Sequence, residues 1–182
     1  GSFFASLQSN LDYYMEVLRV NLKLDIASSV STNKTRINGV DMSSVLYRNL
    51  RAGIALRSGF KGWFNFHAGT KWSLSARGKT EADQHLQNFM DILFVYPGRC
   101  DFSIQYEWYF FNENIGNGIA SGFLDTSLRY AAVENRLTFF MNGKNLLGRG
   151  ELRYSSLREL GYMEEIYRLN PRMILLGISI RF

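Results

Sequence analysis

The sequence predicts an all-β chain: an antiparallel up-and-down transmembrane β-barrel, or a part of one, with about nine strands in residues 1–182. Three observations carry this. Apolar and polar residues alternate with period two along most of the chain, the pattern of strands with one apolar and one polar face. The connections between alternating runs are short at one end and long and polar at the other. The closing run, Pro171 to Phe182, alternates to an aromatic residue, as expected of a strand that closes a barrel.

Composition agrees. One domain, 1–182, fits the length. Two prolines against sixteen glycines, with 15% aromatic residues, describe a β-rich chain with many turns rather than disorder. No apolar run approaches the ~18 residues of a transmembrane helix. Strands with polar residues at every second position remain compatible with a bilayer. The net charge of +5 is dispersed, so no nucleic-acid patch is expected. The single Cys100 provides neither a disulfide framework nor a metal cluster. No secretory signal is visible, and Gly1-Ser2 reads as a cloning remnant or as a start partway through a precursor.

The elements follow in order. Phe3, Ala5, Leu7, Leu11 and Tyr13 oppose Gln8, Asn10 and Asp12; Val20, Leu22, Leu24 and Ile26 oppose Asn21, Lys23 and Asp25. Leu46, Leu50, Ala52, Ile54 and Leu56 oppose Asn49, Arg51, Gly53 and Arg57. Phe64, Phe66, Ala68, Trp72 and Leu74 oppose Asn65, His67, Lys71 and Ser73; Leu86, Met90, Ile92, Phe94 and Tyr96 oppose Gln87 and Asp91. Phe102, Ile104, Tyr106, Trp108 and Phe110 oppose Asp101, Ser103, Gln105 and Glu107. Leu124, Leu128 and Tyr130 oppose Asp125, Ser127 and Arg129; Leu137, Phe139 and Met141 oppose Thr138 and Asn142, with Phe140 breaking the rule. In the last run Ile174, Leu176, Ile178, Ile180 and Phe182 oppose Gly177, Ser179 and Arg181, with Leu175 the exception.

Short connections are expected at Met15 to Arg19, Gly59 to Gly62, Pro97 to Arg99 and Val133 to Asn135. Long ones are expected at Thr32 to Ser43, Ala76 to Ala82, Asn112 to Gly118 and Gly148 to Leu169, with a helical turn over Leu157 to Glu165. Tyr13, Tyr14, Phe60, Trp63, Tyr96, Tyr130 and Phe182 cluster near the short-turn end, and Trp72, Trp108 and Phe110 towards the other, as aromatic girdles do.

If the apolar parity meets lipid, the polar parity faces a lumen. The lumen candidates are Lys23, Asp25, Arg51, Asn65, His67, Lys71, Asp91, Gln105, Glu107, Asp125 and Arg129. Their charges nearly balance, so they can pair across strands or be solvated in a wet interior. A soluble ligand-binding barrel is the reading with the faces exchanged.

No catalytic constellation is present: the sequence lacks G-x-S-x-G, H-E-x-x-H and phosphate-loop motifs, so no enzyme, cofactor or metal is expected. His67 and His85 with Asp91 are the nearest approach to a metal or proton site, and Asp91, Asp101 and Glu107 to a glycosidase carboxylate pair. Both sets read more simply as polar lumen residues. Cys100 reads as an incidental thiol, and Asn112-Glu113-Asn114 with Asn117 as a solvated loop.

Asp125-Thr126-Ser127-Leu128-Arg129-Tyr130, a short turn, Arg136-Leu137-Thr138-Phe139 and then Lys144-Asn145-Leu146-Leu147 resemble the end of TonB-dependent outer-membrane receptors. Asn170-Pro171-Arg172 with Gly177-Ile178-Ser179-Ile180-Arg181-Phe182 is similar to the last strand of that family. The Val95-Tyr96-Pro97-Gly98 turn and the Arg36-Ile37-Asn38-Gly39 loop also fit. The resemblance implies a barrel of about twenty-two strands with a plug inside, of which this chain is the carboxy-terminal part. It implies energised import of a nutrient across the outer membrane of a Gram-negative cell. The implied partners are the lipid bilayer, the amino-terminal barrel and plug of the parent protein, and the barrel-assembly machinery, which reads the final strand. A self-contained small outer-membrane barrel acting as a pore, adhesin or anchor is the alternative.

Overall fold

A computed structural model describes residues 2–33, 36–37, 40–41, 44–59, 62–78, 81–113, 119–134, 136–158 and 161–181. They form thirteen strands: β1 (Phe3–Met15), β2 (Val20–Asn33), β3 (Arg36–Ile37), β4 (Val40–Asp41), β5 (Val45–Ser58), β6 (Phe64–Arg77), β7 (Glu81–Tyr96), β8 (Cys100–Glu113), β9 (Ile119–Val133), β10 (Leu137–Lys144), β11 (Glu151–Arg158), β12 (Gly161–Arg168) and β13 (Met173–Ile180). Nine of them make one sheet in the order β1-β2-β5-β6-β7-β8-β9-β10-β13, antiparallel throughout. The all-β class and the nine-stranded antiparallel up-and-down sheet read from the alternation are therefore those of the molecule; β3, β4, β11 and β12 stand outside that sheet.

Register preserves the two faces across the sheet. On one side Phe64, Phe94, Phe102, Leu128, Met141 and Leu176 are successive partners from β6 to β13. On the other, Asn10, Asp25, Gly53, Lys71, Gln87, Tyr109 and Ser121 run from β1 to β9. A slip of one residue anywhere would exchange the faces, so the unbroken rows fix the register. The aromatic members of the first row lean on one another: the ring centroids of Phe64 and Phe94 are 5.1 Å apart and those of Phe94 and Phe102 6.2 Å. Contacts of this kind contribute about 0.2–1 kcal/mol per cross-strand pair.

One departure from alternation, Phe140, has a steric cause. Phe140 stands opposite Gly177 on the polar face, and a Cβ built at Gly177 would fall into the Phe140 ring. The ring lies over bare backbone, filling space that a side chain on β13 would otherwise occupy. The same device recurs on β6, where a Cβ at Gly69 would meet Phe89 at 2.7 Å and the Ile54 carbonyl at 2.5 Å. An aromatic laid across a glycine shields that backbone and pins the pairing of its strands.

Two expected loops are corrected. Leu157 to Glu165 is not a helical turn: its described residues belong to β11 and β12, which pair from Glu151 with Arg168 to Arg158 with Gly161. Ala76 to Ala82 is not a long connection, because β6 runs to Arg77, β7 starts at Glu81 and those two residues are partners. Polar strands that pass beyond an apolar layer need no alternation, so composition alone reads them as loop. The other short connections lie where expected, between Met15 and Val20, Ser58 and Phe64, Tyr96 and Cys100, and Val133 and Leu137. Phe60, Asn38, Gly39, Asn114, Asn117 and Phe182 lie outside the described residues.

β1 and β13 are the outer strands of the sheet, each hydrogen-bonded on one side only. With nine alternating strands, the first and the last run in the same direction.

Candidate functional site

The sheet has no conventional core. Among the described residues no large side chain is fully buried, and the buried apolar set is Val20, Tyr47, Phe111 and Ala131. The apolar parity is instead open: Ile26, Ile54, Phe64, Met90, Phe139 and Ile178 are all exposed, and Leu176 is 76% exposed. Trp63, Tyr13, Tyr96 and Tyr130 are exposed beside the short turns. Trp108 and Phe110 stack on the same face towards the other end, 6.0 Å apart and 8° from parallel.

The polar parity borders a partly open cavity. Side chains of β1, β2, β5, β6, β7 and β8 line a cavity of about 860 Å³, and the β11–β12 hairpin forms its far wall through Leu152, Tyr154, Glu165 and Tyr167. The hairpin leaves the sheet after β10 and folds back over the polar face. It docks through Tyr154, whose ring meets His85 edge-on at 5.2 Å and Phe111 at 5.6 Å and 88°.

A clamp sets the base of this excursion. The Lys144 Nζ lies 2.8 Å from one Asp125 carboxylate oxygen, and the Asn145 backbone N–H donates to the other at 2.8 Å. The Asn145 side-chain amide donates to the Arg149 carbonyl at 2.7 Å and the Asn170 carbonyl at 2.8 Å, and its oxygen accepts from the Arg149 N–H at 3.0 Å. Asn145 therefore ties together the residues that lead into and out of the hairpin. Its φ of 50° is in the left-handed region, where asparagine is among the better-tolerated non-glycine residues.

The lumen candidates divide by surroundings. Lys23, Asp25, Arg51 and Lys71 line the cavity. Lys23 stands 3.9 Å from Asp25, and the Lys71 ammonium lies 5.3 Å from the Phe89 ring centre. His67 Nδ1 is 3.4 Å from its register partner Asp91, and Arg129 is 3.3 Å from Asp101. Glu107 accepts from the Tyr109 hydroxyl, which in turn accepts from Gln87 Nε2 at 3.1 Å. Asp125 belongs to the clamp, and Gln105 stands between Asp91 and Asp125 in register. Asn65 is on the same parity but is 3% exposed, its amide donating to the Gly62 carbonyl at 2.9 Å. It shapes the β5–β6 turn rather than the open interior.

Catalytic groupings do not assemble. His67 faces Asp91, whereas His85 faces Ser73, six residues further along β6. Asp91 is opposite Gln105, Glu107 opposite Phe89, and Asp101 is paired with Arg129, so none of these carboxylates partners another. Among the described residues no group of three or more His, Cys, Asp or Glu is placed to hold a metal ion. The hairpin and its docking tyrosine are the parts sequence reasoning missed. The signal was present in Leu152 and Tyr154, an alternating pair in a stretch otherwise read as loop. Comparison with family models, with curated proteins and with solved structures finds no match in any of the three.

Proposed function

We propose that the chain is the carboxy-terminal barrel region of a TonB-dependent outer-membrane receptor, importing a nutrient across the outer membrane of a Gram-negative cell. The observation that carries the membrane part of this reading is the inversion of the usual burial. Large apolar side chains cover an open face, and several of the charged side chains of the other face border a partly open cavity that aromatic and aliphatic groups also line. In water such a surface would be an aggregation liability; against acyl chains it is the ordinary outer face of a barrel. The receptor part is supported by the motif residues. Asp125, Lys144 and Asn145, which prompted the resemblance, form the clamp that holds a long loop inward.

The two one-sided edges fit a sheet that continues. β1 takes an antiparallel neighbour from further strands of the parent barrel, and β13 takes the first strand of that barrel. Closing nine strands on themselves would instead require a parallel β1–β13 pair. The plug fills the lumen of the complete receptor, and its movement opens the path.

Native tryptophans test the membrane orientation. With the exposed Trp63 replaced (Trp63→Phe), the remaining Trp72 and Trp108 sit on the apolar parity, so lipids brominated on their acyl chains should quench the emission while aqueous iodide should not. Quenching by iodide alone would falsify the bilayer assignment and favour the soluble barrel. An antibody to the chain, applied to native outer membranes, separates receptor from small barrel. The receptor predicts a heat-modifiable band much heavier than 182 residues, and the self-contained barrel a band of that size. Truncation of Phe182 in the parent protein should lower its yield in the outer membrane if the assembly machinery reads the final strand.

A further inference from the structure

We infer that the cavity under the β11–β12 hairpin binds an anionic, ring-bearing small molecule, its carboxylate held by Arg51 and Lys71 and its body resting on the aromatic wall of β8 and the hairpin. The inference rests on the reading of the polar face as a lumen.

Charge pairing and position together mark the two cations. Three other cations of this face stand beside carboxylates: Lys23 with Asp25, Arg129 with Asp101 and Lys144 with Asp125. Arg51 and Lys71 line the cavity with no carboxylate within 4.0 Å among the described residues, and Lys71 has only the Phe89 ring. The nearby acids are committed to other groups. Asp25 is the partner of Lys23, and Glu165 of the hairpin accepts from the Tyr167 hydroxyl. The lining retains an excess of positive charge, with Lys23, Arg51 and Lys71 against Asp25 and Glu165.

Register places the two cations side by side. Arg51 is opposite Ser73 and Lys71 opposite Gly53, so they are diagonal neighbours on β5 and β6, about 7 Å apart at the backbone. The two intervening positions carry a hydroxymethyl group and a hydrogen; a Cβ at Gly53 would stand 3.8 Å from both the Asp25 carboxylate and the Lys71 stem, so a ligand carboxylate seated between the guanidinium and the ammonium enters on the Ser73 side and has Asp25 as its neighbour. A carboxylate seated there takes a two-point hydrogen bond from Arg51 and a point charge from Lys71.

The rows that start at these cations end in rings. Arg51, Ser73, His85 and Phe111 are successive partners, as are Lys71, Gln87 and Tyr109. Tyr109 and Phe111 stack 6.1 Å apart, and Tyr154 closes over Phe111 from the hairpin. β8 lies two strands from β6 and three from β5, about 10–14 Å at normal sheet spacing. A ligand spanning both features is elongated, with an acid at one end and flat or puckered rings along its body. Acidic oligosaccharides and aromatic acids share this chemistry.

Isothermal calorimetry on the detergent-purified protein tests it with three probes: tetragalacturonate, the neutral tetrasaccharide cellotetraose, and ferulate. Tetragalacturonate, ferulate or both should bind, and cellotetraose should not; which acid binds identifies the source. Arg51→Gln and Lys71→Met should each weaken binding on the order of ten-fold or more, and raised salt should weaken it further. Arg51→Lys should recover part of the loss, and Arg129→Gln, outside the cavity, should change nothing. Binding of neither acid, equal binding of cellotetraose, or full affinity in the Arg51→Gln/Lys71→Met double variant overturns the site. Bromolipid quenching on the same sample keeps the two readings apart. Quenched tryptophans without acid binding reject the site alone; acid binding without quenching rejects the membrane reading on which it rests.

Discussion

Single residues decide where this sheet departs from its own pattern. Phe140 reads as an error in alternation until Gly177 is seen beneath it, and Phe89 stands in the same relation to Gly69. Each pair exchanges one side chain for contact between a ring and backbone, so neither member is replaceable alone. Gly177→Val places a branched side chain where the Phe140 ring lies. It should destabilise the β10–β13 pair by about 1–3 kcal/mol through overpacking, measured as a lower urea midpoint for the detergent-folded protein. Adding Phe140→Ala should restore part of the loss, because the clash is between those two groups; an additive double variant would contradict the steric account.

At the scale of elements, the β11–β12 hairpin differs in kind from the sheet strands. They are held by neighbours on both sides or by one long ladder; it is held by its own ladder, by Tyr154 and by the clamp at its base. Local opening is favoured where contacts are few. Asn145→Ala removes the amide that joins the Arg149 and Asn170 backbones, and each lost bond is expected to cost about 1 kcal/mol. The expected outcome is faster proteolytic cleavage within 151–168 with the nine-stranded sheet intact. Uniform cleavage throughout the chain would show that Asn145 supports the whole sheet instead. The hairpin also shows why the sequence misled. Tyr162, Met163, Ile166 and Tyr167 recur at spacings of three and four, the helical period, in a segment that pairs as a strand with β11.

For the whole molecule, the question is which medium each face meets. Met90 sits on the open apolar face near mid-strand, and Gln105 sits on the polar face between Asp91 and Asp125. In a bilayer Met90→Arg should cost about 2–4 kcal/mol near the midplane, whereas Gln105→Arg, among acids, should stay within about 0.5 kcal/mol. Urea unfolding of vesicle-folded protein measures both, and equal small effects would place the apolar face in water. The two edges belong to the same scale. Leu7 on β1 is 73% exposed and Leu176 on β13 is 76% exposed, and both edges present unpaired backbone. Such edges associate with other strands unless covered.

The sequence by itself determined the all-β class, the nine strands of the main sheet and the parity of each. All three follow from a period-two pattern that local backbone geometry imposes, and no distant contact is needed to read them. Tertiary structure decided what the polar face surrounds. That Lys23, Arg51 and Lys71 share a cavity with Tyr154 and Glu165 depends on a hairpin crossing back over the sheet, and that Asn65 leaves the lumen depends on a hydrogen bond to Gly62. Alternation gives every residue a face but no partner; partners come from register and from the folding of one element onto another, which separations of a hundred residues and more conceal in the chain.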